Sequence, residues 1–192
     1  MHSDDDLIRG IKARDPGSFE IYVRRFQRRV YFTALRMLGD REEALDASQE
    51  VFLKVWRFAP RLNVQFNLER WTYRIAINAC IDRLRTLPRA EIKVDEKIID
   101  LARIDRSAGP AERAAQSEDW NELRLAMESL TEKQRAVFVL RHFQNLKMNE
   151  IAEAMGLSVG TVKATLHQTL KKLRGLLCAV NINHQANGSE DQ

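Results

Sequence analysis

The chain is 192 residues long, enough for one medium domain or two small ones with real apolar cores. Its four prolines and eight glycines fall well below average usage, which excludes collagen-like, mucin-like and fully disordered chains and leaves a mostly helical fold as the expectation. The net charge of +4 is modestly basic and by itself names no nucleic-acid partner.

The N-terminus opens MHSDDDL, without the basic and apolar regions of a secretory signal. No run approaches the eighteen apolar residues of a spanning helix, so no membrane insertion and a cytoplasmic location are expected. LIRGIKA predicts a first helix closed by Asp15-Pro16-Gly17, and SFEIYVRRFQRRVYFTALRML a second closed by Gly39-Asp40. REEALDASQEVFLKVWRF predicts a third. Helical spacing puts Ala44, Ala47, Val51, Val55 and Phe58 on its inner face and Asp46, Gln49, Glu50, Leu53 and Arg57 on the other. PRLNVQFN reads as a polar loop that carries Phe66 between asparagines. A fourth helix is expected from about Leu68 to Arg85, with Trp71, Ile75 and Ala79 stacked at four-residue intervals. Trp71 reads as core, whereas Tyr73 has no obvious inward neighbour set and is assigned to neither side. Four helices around one apolar centre make a compact module and leave the loop free for recognition.

Charge then changes sign along the chain, from +4 over residues 1–86 to −2 over 87–120 and +2 over 121–192. The middle stretch holds Pro88 and Pro110 and no long apolar stripe, which predicts a flexible acidic linker over 87–117. The expected organisation is all-α, with a four-helix domain over 1–86, a second helical domain over 118–180 and a frayed polar tail over 181–192.

In the second domain, LKMNEIAEAMGLSVGTVKATLHQTLKKLRGLL has the layout of a helix-turn-helix. A short helix packs through Ile151, Ala152 and Met155, Gly156 makes the turn, Leu157 plugs the junction and Ser158 caps the next helix. Val162, Leu166, Leu170 and Leu173 line one side of that helix, while Gly160, Thr161, Lys163, Ala164, His167, Gln168 and Lys171 stay available on the other. A surface of small hydrogen-bonding groups and cations suits a major groove. The alternative is a packing-only hairpin with a solvated basic face.

Cys80 and Cys178 stand far apart, without a C-x-x-C unit or a third cysteine, and read as buried thiols. His2, His142, His167 and His184 form no metal-ligand grouping. Asp4-Asp5-Asp6 lacks the fixed geometry a hard cation needs. Neither a Gly-rich phosphate loop nor a nucleophile–base pair is present, so no catalytic residue, metal or cofactor is expected.

Three separated segments carry a resemblance in the right order: LGDREEALDASQEVFLKVWR, WTYRIAINACIDRLR and LTEKQRAVFVLRHFQNLKMNEIAEAMGLSVGTVKATLH. Over roughly residues 11–86 and 118–177 the chain resembles the extracytoplasmic-function sigma factors, the small two-domain members of the bacterial sigma-70 family. The resemblance implies a non-catalytic, dissociable specificity subunit of RNA polymerase. It places Asp46, Gln49, Glu50 and Leu53 against the clamp helices of the polymerase beta-prime subunit, where carboxylates around an apolar anchor meet a basic helix. A solvated acidic face is the alternative, and Leu53 speaks against it.

The resemblance further implies that the loop Leu62–Asn67 holds unpaired bases of the minus-ten element. Asn63, Gln65 and Asn67 can read base edges there, and Phe66 either stacks on a base or closes the core. Arg70, Arg74 and Asn78 form a stripe that can track phosphates. Ser158, Gly160, Thr161, Lys163, His167 and Lys171 face the minus-thirty-five element, and the second domain packs on the beta flap. An anti-sigma factor is the expected inhibitory partner. Thr165 and Gln168 depart from the family pattern, which commonly has basic residues there, and Met148 and Asn149 replace a usual Ser or Thr. Where both positions contact the DNA backbone, the lost cations are expected to reduce the salt slope of upstream binding by about two units. The competing readings are an autonomous helix-turn-helix regulator with an N-terminal sensor or dimerisation domain, and a helical adaptor that binds only protein.

Overall fold

The computed structural model describes residues 3–61, 67–86 and 118–187, with 118–121 and 178–187 as backbone only. The described residues form helices α1 (Asp4–Lys12), α2 (Pro16–Leu38), α3 (Arg41–Phe58), a 3-10 turn (Ala59–Arg61), α4 (Leu68–Thr86), α5 (Glu118–Glu128), α6 (Glu132–His142), α7 (Met148–Met155) and α8 (Val159–Asn187). The fold is all-α. The stretch 87–117, expected as a linker, lies outside the described residues, and α8 continues through the first part of the stretch expected as a tail.

Local chemistry explains the helix ends. Ser3 and Asp6 form a capping box on α1, and the three aspartates of its first turn favour the positive end of the helix dipole. Asp15-Pro16-Gly17 starts α2 and does not close α1. Asp15 Oδ2 accepts the Ser18 amide at 2.7 Å, Pro16 occupies the first turn, and α1 has already ended at Ala13. The two helices meet tightly where Gly10 lies. A Cβ there would sit 2.0 Å from Ser18 Oγ, so this crossing requires glycine.

Two apolar clusters organise the molecule. One joins Leu7, Ile8 and Ile11 of α1 to Tyr22, Phe26, Val30, Val51, Val55, Leu68, Ala76 and Ala79. Its one buried polar bridge, among the described residues, runs from Tyr22 Oη to Thr72 Oγ1 at 2.6 Å. The other begins with Ala34, Met37, Leu38, Ala44, Ala47, Tyr73, Ile77 and Cys80 in the N-terminal half. It continues without a break into Leu130, Ala136, Val137, Leu140, Ile151 and Val162 of the C-terminal half. The single apolar centre expected for the four-helix module is therefore divided, and half of it is shared with the second unit. Burial against α6 and α7 completes the cover of the apolar surface at the end of α2 and on one side of α4 and removes it from water.

Four inner positions of α3 are fully buried: Ala44, Ala47, Val51 and Val55. Phe58 is instead 42% exposed, because the chain turns into the 3-10 segment at Ala59 and this small residue takes the inward place. Tyr73 is buried, and Trp71 and Ile75 pack half-buried against the first cluster.

Candidate functional site

Three surfaces present the side chains singled out by sequence. The first is the outer face of α3. Helical spacing brings Leu45, Gln49 and Leu53 into one row, and Leu53 is the most exposed large apolar side chain described, at 69%. Acidic groups flank the row. Asp46 Oδ2 accepts from Arg83 Nη2 at 2.9 Å, Arg83 also holds Glu43, and Glu50 pairs with Lys54 at 2.7 Å. Arg83 thereby ties α3 to α4 and fixes the direction of the acidic rim. Leu45, 44% exposed, extends the apolar part of this face, and the sequence reading does not single it out.

The second surface is the start of α4. Asn67 caps it, its Oδ1 accepting the Arg70 amide at 3.0 Å, so its side chain has a structural duty beside any recognition role. Arg74 and Asn78 are exposed. Asn63, Gln65 and Phe66 lie outside the described residues. Arg70 is held from the other half of the molecule: its Nη1 donates to Glu153 Oε2 at 2.6 Å and its Nη2 to Glu150 Oε1 at 2.9 Å.

The third is the helix-turn-helix. Gly156 ends α7 in the left-handed region at φ 64°, and the Leu157 amide reaches back to the Ala152 carbonyl at 2.9 Å. Ser158 Oγ accepts the Thr161 amide at 3.1 Å and so caps α8. Val162, Leu166 and Leu173 are buried beneath, while Ser158, Gly160, Thr161, Lys163, His167 and Lys171 all face outward on one continuous surface. Thr165, one of the two departures from the basic pattern, is half-buried, and its carbonyl accepts from the buried Thr169 hydroxyl at 2.7 Å.

Between the surfaces lies an inter-unit contact that no sequence pattern reveals. Tyr73 Oη donates to Gln144 Oε1 at 2.8 Å, and Gln144 Nε2 donates to Thr33 Oγ1 at 2.9 Å. Burial pushes the Tyr73 phenol above its ordinary pKa, so it stays a donor at neutral pH. Buried Arg135 donates from Nη1 to the Met37 carbonyl at 2.7 Å and from Nε to the Met127 carbonyl at 3.1 Å. A cation there faces the negative end of α2. The Arg36 guanidinium lies 4.3 Å from the Phe143 ring centroid. The one hint in the sequence is Arg135 itself, an arginine beside the apolar run Ala136–Leu140.

Among the described residues no group of three or more His, Cys, Asp or Glu side chains is placed to hold a metal ion. No described helix is long and apolar enough to cross a membrane. Cys80 is buried, and its thiol is pushed up to about 12 by burial and then by the Glu50 carboxylate. The Cys178 side chain lies outside the described residues.

Comparison with known proteins places these surfaces in a family context. Residues 22–89 match the model of sigma-70 region 2, and residues 120–173 match that of sigma-70 region 4. The chain is 31% identical over 173 residues to the ECF RNA polymerase sigma factor SigW of Bacillus subtilis, covering 87% of this chain and 92% of that one. It is 30% identical over 179 residues to the ECF RNA polymerase sigma factor SigM of Mycobacterium tuberculosis, covering 93% and 87%. The fold is similar to CnrH solved in complex with the cytosolic domain of CnrY, with a TM-score of 0.69 at 20% identity over 92% of this chain and 97% of that one. It is also similar to the sigma factor RpoE solved with the anti-sigma factor NepR from Bartonella quintana, at TM-score 0.62 and 19% identity over 83% and 96%.

Proposed function

The chain belongs to the extracytoplasmic-function sigma factors of the sigma-70 family, alternative sigma factors that bind core RNA polymerase and direct promoter recognition through regions 2 and 4, and from that premise we propose how its surfaces divide the work. As a sigma factor it is a non-catalytic specificity subunit, and any bond-making belongs to the polymerase.

The outer face of α3 docks on the clamp helices of the polymerase beta-prime subunit. Leu53 is the anchor, Gln49 adds hydrogen bonds, and Asp46 and Glu50 meet basic groups around it. The observation that carries this reading is Leu53 standing 69% exposed within an acidic rim. A leucine in that position gains nothing from water, and its burial under a partner yields apolar contact that a rim of matched charge then orients.

The start of α4 and the loop before it serve the minus-ten element. Asn63, Gln65, Phe66 and Asn67 receive unpaired bases, and Arg70, Arg74 and Asn78 follow the sugar–phosphate backbone. The outward surface of α8 enters the major groove of the minus-thirty-five element. Ser158, Gly160 and Thr161 allow close approach at its first turn, and Lys163, His167 and Lys171 supply hydrogen bonds and charge. With exposed Gln168 in place of a cation, and Thr165 half-buried, the upstream grip has a salt slope smaller by about one unit than a basic helix would give. The second unit, residues 118–180, docks on the beta flap, and the first, residues 1–86, carries the clamp and minus-ten contacts. An anti-sigma factor holding both units is the partner that the similar folds of CnrH and RpoE suggest, both solved with bound partners.

The allocation is tested by footprinting with core polymerase. In complexes formed with the wild-type chain, permanganate should modify thymines at the minus-ten element. Arg74→Ala/Asn78→Ala should reduce that signal while leaving core binding intact. Lys163→Ala should weaken promoter binding across sequences and lower the salt slope by about one. Unchanged footprints in both variants would overturn the assignment of α4 and α8.

A further inference from the structure

We propose that Glu150 and Glu153 on α7 act as an internal stand-in for promoter phosphates: by holding Arg70 they keep the free chain closed, with that guanidinium engaged, until the helix-turn-helix unit is drawn away. The proposal rests on the reading above that Arg70 follows the minus-ten strand.

Guanidinium chemistry makes the substitution direct. The planar donor fork of arginine recognises carboxylate and phosphate oxygens with the same geometry. Glu150 and Glu153 are three residues apart on one helix, so both carboxylates face the same side. Each takes one terminal nitrogen of Arg70, at 2.9 and 2.6 Å. Glu150 uses its other oxygen to accept the Lys147 amide at 2.8 Å, which fixes the carboxylate at the first turn of α7 before Arg70 arrives. The Glu150 pair is partly shielded from water, with the Arg70 side chain 28% and Glu150 22% exposed, beside a more open Glu153 at 48%. Salt therefore screens it less than a free surface pair.

Three further contacts hold the same closed arrangement. These are Tyr73 to Gln144, Arg135 to the Met37 carbonyl at the end of α2, and Arg36 over Phe143. They cross between residues far apart in sequence and on both sides of the stretch 87–117, so they are tertiary contacts that a separation of the two units must break together.

Promoter geometry requires that separation. The two elements lie about 25 base pairs apart, about 85 Å at 3.4 Å per base pair, whereas a compact chain of this length has a radius of gyration of only about 16 Å. A closed chain cannot reach both. Arg70 is thus occupied by carboxylates in the closed arrangement and becomes available to DNA in the one that recognises a promoter. Acidic residues on the unit destined for one element cover a cation destined for the other.

The test uses the full chain in four forms: wild type, Glu150→Gln/Glu153→Gln, Glu153→Gln, and Arg70→Ala. Glutamine keeps an acceptor for the Lys147 amide, and Glu153→Gln alone leaves that cap untouched, so a folded intermediate variant is in hand. Small-angle scattering reads compactness. Anisotropy reads binding of a fluorescent random-sequence single-stranded DNA, suitable because phosphate contacts carry no sequence information. The double glutamine variant should expand and bind the oligonucleotide about fivefold or more tightly, with Glu153→Gln intermediate. Arg70→Ala should expand without that gain. A double glutamine variant as compact as wild type overturns the proposal. If both variants expand and bind the oligonucleotide equally, closure is real but Arg70 is not a DNA contact, and the masking role falls with the reading of α4 on which it rests.

Discussion

Leu53 stands 69% exposed among carboxylates on α3, so truncating it removes almost nothing from the fold. Leu53→Ala should leave the thermal midpoint within the range of an ordinary surface change, about 0.5 kcal/mol. Its affinity for core polymerase should nevertheless fall by about tenfold or more, measured by competition against the wild-type chain. Equal affinity would remove the anchor role from Leu53. Cys80 is the opposite case, a thiol that burial pushes up to about 12. In a Cys178→Ser background it should react with a thiol reagent at neutral pH only as fast as the chain opens. Rapid labelling of the native protein would contradict the burial. Both environments are legible in the sequence, Leu53 from helical spacing that sets a leucine among acids and Cys80 from its apolar neighbours. Phe58 is not, since an i, i+3, i+4 pattern continues on paper past the point where the backbone changes course at Ala59.

At the scale of elements, the pattern of apolar residues locates every helix of the described N-terminal half, and the differences fall at the ends. Asp15-Pro16-Gly17 has the composition of a stop and of a start. Asp15 caps α2 and Pro16 fits its first turn, so the start prevails. The helix-turn-helix is the most legible part, because its turn depends on backbone chemistry that only certain residues supply. Gly156 sits at φ 64° with open space around its Cα hydrogens. Gly156→Ala should therefore cost only the backbone strain, about 1 kcal/mol. The thermal midpoint should drop by a few degrees, about 2–4 °C per kcal/mol for a chain of this size. A fall several times larger would mean that the turn is packed more tightly than the structure has it.

At the scale of the molecule, the sequence suggests two units on a tether, whereas the structure packs them on one shared apolar cluster. That packing is not legible because no local pattern encodes it. Tyr73 has no inward neighbour set on its own helix, and its partner Gln144 stands 71 positions away. Arg70 reads as one member of a phosphate-tracking stripe, and only the fold brings Glu150 and Glu153 to it. The same pair sets a pH dependence. The Lys147 amide, and then Arg70, hold the Glu150 carboxyl below the ordinary range. Its contribution is complete above the unfolded value of about 4.3 and is lost as pH falls through the lower folded value. Scattering should find the wild-type chain equally compact from neutral pH to about pH 5 and expanded in more acidic solution. Glu150→Gln should lose part of that dependence. A wild-type profile that expands on going from pH 5 to pH 7 would have the wrong sign for this contact.

In the proposed division of labour an exposed leucine in an acidic rim on α3 joins this sigma factor to core polymerase, and the other assignments depend on that joint. Run-off transcription tests it most directly, with purified bacterial core enzyme, promoter fragments from the source genome, and either the wild-type chain or Gln49→Ala/Leu53→Ala. Docking through α3 predicts defined transcripts that require the wild-type chain and fall sharply with the variant, while the variant remains folded. Transcripts of equal yield from both proteins would contradict the α3 docking face. An absence of any transcript, together with tight binding of duplex DNA by the chain alone, would contradict the polymerase-subunit role itself.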